Sequence, residues 1–533
     1  MTDNLKKLIK TGVALILFTV LVLAVDKLLF PEDAFSSQWK IKIDTQNGLS
    51  KKERVQDFKE LCGILKENAP YICDYEQLYG ISFEETEKYY AKLVKNAETD
   101  FEYFSAAAAF LNNLPGYHTA MRMPVQDSGY ALYSYTLSNY SNYPEVSKYW
   151  AQIIKDSTDD YPDYSELYFF YINGSYYLRE NDTFNGCELV SVNGIPTAEY
   201  ITLFPSPRQL SYDHINKCCC RDYIAFNDKY GNECTLTLKQ PDGSITEQKA
   251  YYCFEAQISE VCNSYFSLAE SAQTETQTEQ IIDYTADEII TPYFYAVKNE
   301  NTVYMSFNDF YDGAETAVNY LTEADVPENV IIDLRNNTGG LAFLSVSLAS
   351  QLSTKEFTLK PEIWYTGNYN IFDSVTEFKN KDLPFESRFG KLYRGINTET
   401  VTASAQHSYN TFILVSDTTG SAADKFTAII KDNGLGTVIG INNTGGEAYG
   451  SPELALLEKS GLTFFYTPYK YLNPDGSDNS VYGTAPHIYV PYTLENYQLR
   501  NKLTADGKDI TNYYSRLEWK DGVLLKALEL TKE

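Results

Sequence analysis

The sequence predicts a mixed α/β protein: a layered α/β core in the C-terminal half, preceded by a helical segment and a β-rich module. Three observations carry this expectation. From about residue 285, short apolar runs alternate with amphipathic stretches, the pattern of strands and helices stacked in layers. Residues 51–114 repeat their apolar side chains at helical spacing. Residues 165–255 hold β-prone runs broken at Asn173-Gly174 and Asp242-Gly243, both hairpin signals, and at the tight turn Asn193-Gly194.

The N-terminus sets Lys6, Lys7 and Lys10 before the apolar run Thr11–Val25. Counted from Gly12 to Phe30, the helix would be about 28 Å long, close to a bilayer core. The lysines favour a cytoplasmic start, with the bulk of the chain outside. Residues 1–35 are therefore read as an uncleaved single-pass transmembrane anchor, a removed secretory signal being the alternative. Residues 36–125 follow as a helical subdomain, in which "VQDFKELCGILKENA" places Phe58, Leu61, Cys62 and Leu65 on one face. It ends in "LPGYHTAM".

Residues 160–262 form the β module, and "SAQTETQTEQ" after it is the most linker-like stretch. The core is expected over 285–533. Its strands are "TVYMSFNDF", "NVIIDLRNNTGG", "TFILVSDTTG", "LGTVIGI" and "LTFFYTPYKYL". Helices are expected at "ETAVNYLTEA", at "LAFLSVSLASQLST", after Ser421 and at the closing "DGVLLKALELTKE".

With 533 residues, 44% of them hydrophobic, the chain has material for a large core. A net charge of −28 and the lack of any basic stripe exclude a nucleic-acid binder. None of the nine cysteines lies beyond Cys262. Their odd number leaves at least one unpaired, and the run "KCCCRD" has no companion cluster at zinc-ligand spacing. Structural thiols or one or two bridges are expected, and no metal.

Two segments suggest chemistry. In "TFILVSDTTGSAADKF" a buried strand ends in a polar turn and Ser421 opens a helix. Serine is a favoured helix cap. The same geometry lifts a hydroxyl above a sheet edge and leaves the Ala422 N–H free to stabilise an oxyanion. In "IIDLRNNTGG" a strand runs into Gly339-Gly340, whose unhindered amides suit the same task, while Asp333 and Arg335 are expected to fix the loop. Of the four histidines, His118 follows a Pro-Gly break at a helix end; His214 stands beside the cysteine run, and His407 lies in a polar loop.

The segments "LPGYHT", "VIIDLRNNTGG", "TGSAADKF", "TVIGINNTGG" and "YGTAPHIYV" occur in this order. Together they resemble the successive signatures of the S41 serine peptidases, the C-terminal-processing (tail-specific) and tricorn-related family. The resemblance spans most of residues 51–533. It implies a ClpP/crotonase-like α/β protease core, with "NGCELVSVNGIPTAEYI" similar to the centre of an inserted PDZ-like module. C-terminal-processing members pair the serine with a lysine where this chain has Gly446 or Glu447, so that dyad is absent. Lys425, one helical turn from Ser421, is read as a solvated helix residue.

Tricorn-like members use Ser, His and an acidic residue. By that resemblance Ser421 is the nucleophile, His118 the general base, and the Gly340 and Ala422 amides the oxyanion hole. Their glutamate corresponds here to Ser480, and the acidic residue usual after the motif's proline corresponds to His487. Ser480 could orient His118, or Asp478 or Glu447 could stand in. The expectation is a membrane-anchored, extracytoplasmic serine-type endopeptidase, S41-like, acting on peptides or proteins with no metal or organic cofactor. A catalytically impaired scaffold that binds peptides at the cell surface is the alternative. A lipase or esterase is a distant third.

Overall fold

The structure, a computed structural model, describes residues 40–114, 116, 118–122, 137, 140–157, 161, 165–180, 183–262, 282–360, 363–365, 392–395, 398–405, 407–448 and 452–532. The anchor expected within residues 1–35 and the linker at 271–280 lie outside them. Among the described residues no helix is long and apolar enough to cross a membrane.

Four helices, Lys51–Asn68, Ile72–Tyr79, Phe83–Asn96 and Asp100–Asn112, build the N-terminal layer. Their starts are written in the sequence. Ser50 with Glu53 and Thr99 with Glu102 form capping boxes, each hydroxyl and carboxylate satisfying N–H groups that the first turn leaves open. Asp100–Asn112 is apolar almost all round and is buried accordingly. A hairpin from far along the chain, Glu453–Leu456 with Thr463–Tyr466, packs into this layer and pairs with the two-residue strand Ala120–Met121. That pairing, Ala120 opposite Phe465, anchors the loop just after the helical layer.

The β module is a seven-stranded antiparallel sheet. Its strand Thr183–Val192 pairs with both Ser175–Glu180 and Asn232–Lys239, so the sheet closes on itself. The Asn173-Gly174 hairpin forms as its sequence dictates. Both residues have positive φ, 46° and 95°, as the favoured two-residue turn requires. One short helix, Thr197–Leu203, covers the module's core through Tyr200 and Ile201.

The C-terminal half is an α/β/α sandwich. Its sheet orders Glu288–Ile290, Phe294–Lys298, Thr302–Phe307, Asn329–Asp333, Asn410–Val415, Thr437–Gly440 and Ile488–Tyr489, parallel from the third strand onward. Every residue of the central strand Asn329–Asp333 is buried, which explains its unbroken apolar run. Val330 and Ile332 face the helices Asp312–Glu323, Ala342–Ser350 and Ala422–Asp432. Ile331, Leu414 and Ile439 face the other side, against Trp519, Val523 and Leu524 of the C-terminal helices. Parallel strands send their loops out at one sheet edge. The edge beyond Asp333, Val415 and Gly440 is where ligands bind in open α/β sheets.

The eight described cysteines are free thiols, and Cys218–Cys220 is a short strand.

Candidate active site

Ser421 occupies the helix start but does not cap the helix. Its side chain makes no cap hydrogen bond, and its backbone is held at φ 52°, ψ −122°, a conformation costly for any residue with a Cβ. Main-chain bonds to two neighbouring loops impose that conformation. Ser421 N–H donates to Gly446 O at 3.0 Å, Gly420 N–H to Asn337 O at 3.2 Å, and Gly445 N–H to Thr419 O at 2.8 Å. The Ser416 and Thr419 hydroxyls donate to the carbonyls of Arg335 and Leu334, at 2.6 and 2.8 Å. A sharp strand-to-helix turn with a strained serine at its tip is the geometry of a nucleophile elbow.

Gly339 lies directly against this turn, while Gly340 pairs with the backbone of Phe310. A Cβ on Gly339 would come within 2.6 Å of the Ser421 Cβ and 3.0 Å of the Ala422 nitrogen. Gly339 has φ 105° and Gly340 φ 146°, both in the region that favours glycine. Gly339 N–H donates to Asn337 Oδ1 at 2.9 Å, and Asn337 Nδ2 ties the loop back to Phe307 O at 2.8 Å. Ala422 is the first residue of its helix, so its N–H has no acceptor within the helix. The structure thus brings the Gly339-Gly340 turn, Ser421 and Ala422 together.

Asp333 and Arg335, ahead of the glycines, are buried and bind one another, with Arg335 Nε 2.8 Å from Asp333 Oδ1. Asp521 and Arg516 from the C-terminal helices complete a four-charge cluster, with Tyr304 donating to Asp333 at 2.7 Å. The two arginines hold the Asp333 carboxyl well below the usual carboxylate range despite its burial. These residues fix the loop from behind.

His118 enters from the N-terminal layer. Gly116 accepts from Thr119 N–H at 2.9 Å, and the Thr119 hydroxyl donates to the Tyr71 hydroxyl at 2.9 Å, so the loop is pinned at the residue just before its strand. The imidazole is 14% exposed, and burial lowers its pKa to about 4. Its Nδ1 stands 3.8 Å from Oε2 of Glu447, whose side chain is fully enclosed.

Glu447 directly follows Gly446, the residue that accepts the Ser421 N–H. Burial raises its carboxyl to about 8, with Asp478 pushing in the same direction. The Ser480 hydroxyl reaches Glu447 Oε2 at 3.5 Å. Ser480 therefore adjoins Glu447.

The remaining candidates have structural partners. Asp478 caps the short helix Asn479–Tyr482 and lies 3.6 Å from Lys470. His487 accepts Val438 N–H on its Nδ1 at 2.9 Å. Lys425 N–H donates to Ser421 O at 2.8 Å, continuing the helix. Two contributors were not anticipated from the sequence. Asn337 holds the glycine turn, and buried Asp424 accepts the Thr444 hydroxyl at 2.5 Å, tying the helix to the loop that carries Glu447. Asn337 left a signal, an asparagine just ahead of a Gly-Gly turn; Asp424 left none.

A cavity of about 460 Å³ opens beside these loops. Gly116, Thr418, Gly445 and Ser480 line one wall, and Tyr171, Asp213 and His214 of the β module line the other. Among the described residues no cluster of three or more His, Cys, Asp or Glu is arranged to hold a metal ion.

No curated protein sequence matches the chain. Among solved structures it is similar to mature CPAF, at 15% identity over 86% of this chain and 99% of that one, with a TM-score of 0.49. It is also similar to a putative peptidase from Parabacteroides merdae, at 14% identity over 91% of this chain and 97% of that one, TM-score 0.45. A third similarity is to the tricorn protease, at 13% identity over 91% of this chain and 37% of that one, TM-score 0.32. Residues 301–490 match the model of peptidase family S41. That stretch holds the glycine pair, the Ser421 turn, Glu447 and Ser480, and the chain accordingly carries a peptidase family S41 domain.

Proposed function

We propose that the protein is a serine-type endopeptidase that hydrolyses peptide bonds through an acyl-enzyme on Ser421. The observation that carries this reading is the strained, non-capping Ser421, set against the glycine turn and one residue contact away from the loop that faces His118. In the first step Ser421 Oγ attacks the scissile carbonyl carbon while its proton passes to His118. The negative charge that develops on the carbonyl oxygen is taken by the Gly340 and Ala422 N–H groups. His118 then returns the proton to the leaving amine as the C–N bond breaks, and water repeats the sequence to release the acid.

The cavity between the β module and the core, lined by Gly445 and Ser480 but not by Ser421 or His118, is of a size to seat a peptide segment leading to the site. The β module is read as PDZ-like, positioning that segment. Residues 1–35 are read as the membrane anchor, with the catalytic part extracytoplasmic.

The test is labelling of the full chain with a fluorophosphonate, the adduct being located by peptide mass spectrometry. A single adduct on Ser421, lost in Ser421→Ala and His118→Ala, is expected. Folded protein that takes up no label would replace this reading with that of a peptide-binding scaffold. The low basicity that burial imposes on His118 is the observation favouring that second reading.

A further inference from the structure

We infer that Glu447 is the acidic positioning residue of this site, taking over from the segment before "YGTAPH" the task of orienting His118, and that Ser480 steadies Glu447. The inference rests on the peptidase reading above.

Four observations converge on it. Glu447 Oε2 lies 3.8 Å from His118 Nδ1, an ion-pair separation that tightens to a hydrogen bond once the imidazole carries a proton. The carboxyl is completely enclosed, and the donors turned toward it, the His118 main-chain N–H and the Thr467 and Ser480 hydroxyls, are all neutral. A buried carboxylate met only by neutral donors lacks a counter-charge, which a protonated His118 would supply. The backbone of Glu447 has φ 65°, so its side chain is aimed by a conformation that a non-glycine residue rarely adopts.

The fourth observation is close approach. A Cβ on Gly116 would come within 3.0 Å of Glu447 Oε1 and 2.7 Å of Thr119 Oγ1, so the His118 loop passes close beside Glu447, and the φ of 106° at Gly116 favours glycine there. The position that would hold an acid by family resemblance is Ser480, whose hydroxyl points at this same carboxylate.

The proton balance follows. When Ser421 loses its proton to His118 Nε2, the imidazole becomes a cation whose Nδ1–H faces Glu447. An ionised Glu447 stabilises that cation and holds the ring; a protonated one does neither. The charged and titratable groups facing the carboxyl are His118 on its loop, Asp478 on the neighbouring helix start and Tyr71 on the helical layer. Burial and Asp478 both favour the protonated form, so the site gains activity as pH rises through the range where Glu447 ionises.

The experiment measures the rate of fluorophosphonate labelling on the full chain from pH 6 to 9. It compares wild type, Glu447→Gln, Glu447→Ser, Ser480→Ala and the exchange variant Glu447→Ser/Ser480→Glu. Gln is isosteric with the neutral acid that burial favours, so folding is retained and is checked by circular dichroism. The wild-type rate is expected to climb across this range. In Glu447→Gln it falls on the order of 10³-fold and loses the climb, as expected when a histidine loses its acidic partner. The exchange variant recovers at least tenfold over Glu447→Ser alone, and Ser480→Ala shifts the midpoint of the climb.

A Glu447→Gln rate within threefold of wild type, with the same pH profile, overturns the inference while leaving Ser421 as the nucleophile. So does a loss in Glu447→Gln that leaves the climb intact and is not recovered by the exchange. Absence of label on folded wild-type protein would instead overturn the nucleophile, and the inference with it.

Discussion

Replacing Gly339 with alanine probes the contact on which the whole site depends. The added Cβ would lie 2.6 Å from the Ser421 Cβ and 2.8 Å from Gly420 O. To go from 2.6 Å to the 3.4 Å of ordinary contact, the two loops must part by about 0.8 Å. A positive φ costs alanine about 1–2 kcal/mol. Forcing a methyl into a packed site costs about 1–3 kcal/mol more. The destabilisation is therefore roughly 2–5 kcal/mol. A displacement approaching 1 Å at a reacting atom lowers its rate on the order of 10²-fold.

Gly434→Ala is the control. Its φ is 61°, yet nothing lies within 4 Å of the added Cβ, so it carries the conformational cost without the collision. Denaturant unfolding and fluorophosphonate labelling are measured on both variants. The expected outcome is a small stability loss with normal labelling for Gly434→Ala, and a larger loss with labelling about 10²-fold slower for Gly339→Ala. Wild-type labelling in Gly339→Ala would refute the close approach of the glycine turn to Ser421.

Asp521→Asn leaves Arg335 and Arg516 short of a buried partner and should cost about 3–5 kcal/mol in denaturant unfolding. Labelling of Ser421 should slow with it, because Arg335 holds the segment leading into the glycine turn. For Glu447 the folded state holds its proton more tightly than the unfolded chain, since burial raises its pKa to about 8. Its contribution to stability is therefore lost as pH rises from the ordinary carboxylate range through about 8. Glu447→Gln removes that loss, so the variant should be more stable than wild type at pH 9 and equal to it at pH 4, as read by thermal unfolding at each pH.

The α/β alternation was legible because burial on both faces forces an apolar run such as "NVIID", and some helices, though none of the three between the sheet strands, advertise their starts, as at Ser50, Thr99 and Asp521. The hairpin at Asn173-Gly174 was legible for the same local reason. Ser421 was only half legible. Composition marks a helix start, but the φ of 52° that takes the serine away from capping is imposed by Gly446 and Asn337, which no local rule connects to it.

From the sequence Glu447 is one of two stand-ins, because resemblance directs attention to Ser480. What distinguishes Glu447 from Asp478 is tertiary. Asp478 has a helix to cap and a lysine beside it, whereas Glu447 faces an imidazole from another layer. His118 likewise depends on Ala120 pairing with Phe465, a contact across most of the chain.

The four-charge cluster behind the glycine turn also has a temporal meaning. Its two anchors, Arg516 and Asp521, come from helices that follow the sheet, the Ser421 turn and the His118 loop along the chain, and so are synthesised after them. Chains fold vectorially as they are made. Until that segment docks, Asp333 and Arg335 have only each other and Tyr304, and the glycine turn ahead of them is not yet braced from behind. The turn beside Ser421 therefore takes its final shape only when a stretch about 180 residues further along the chain has packed.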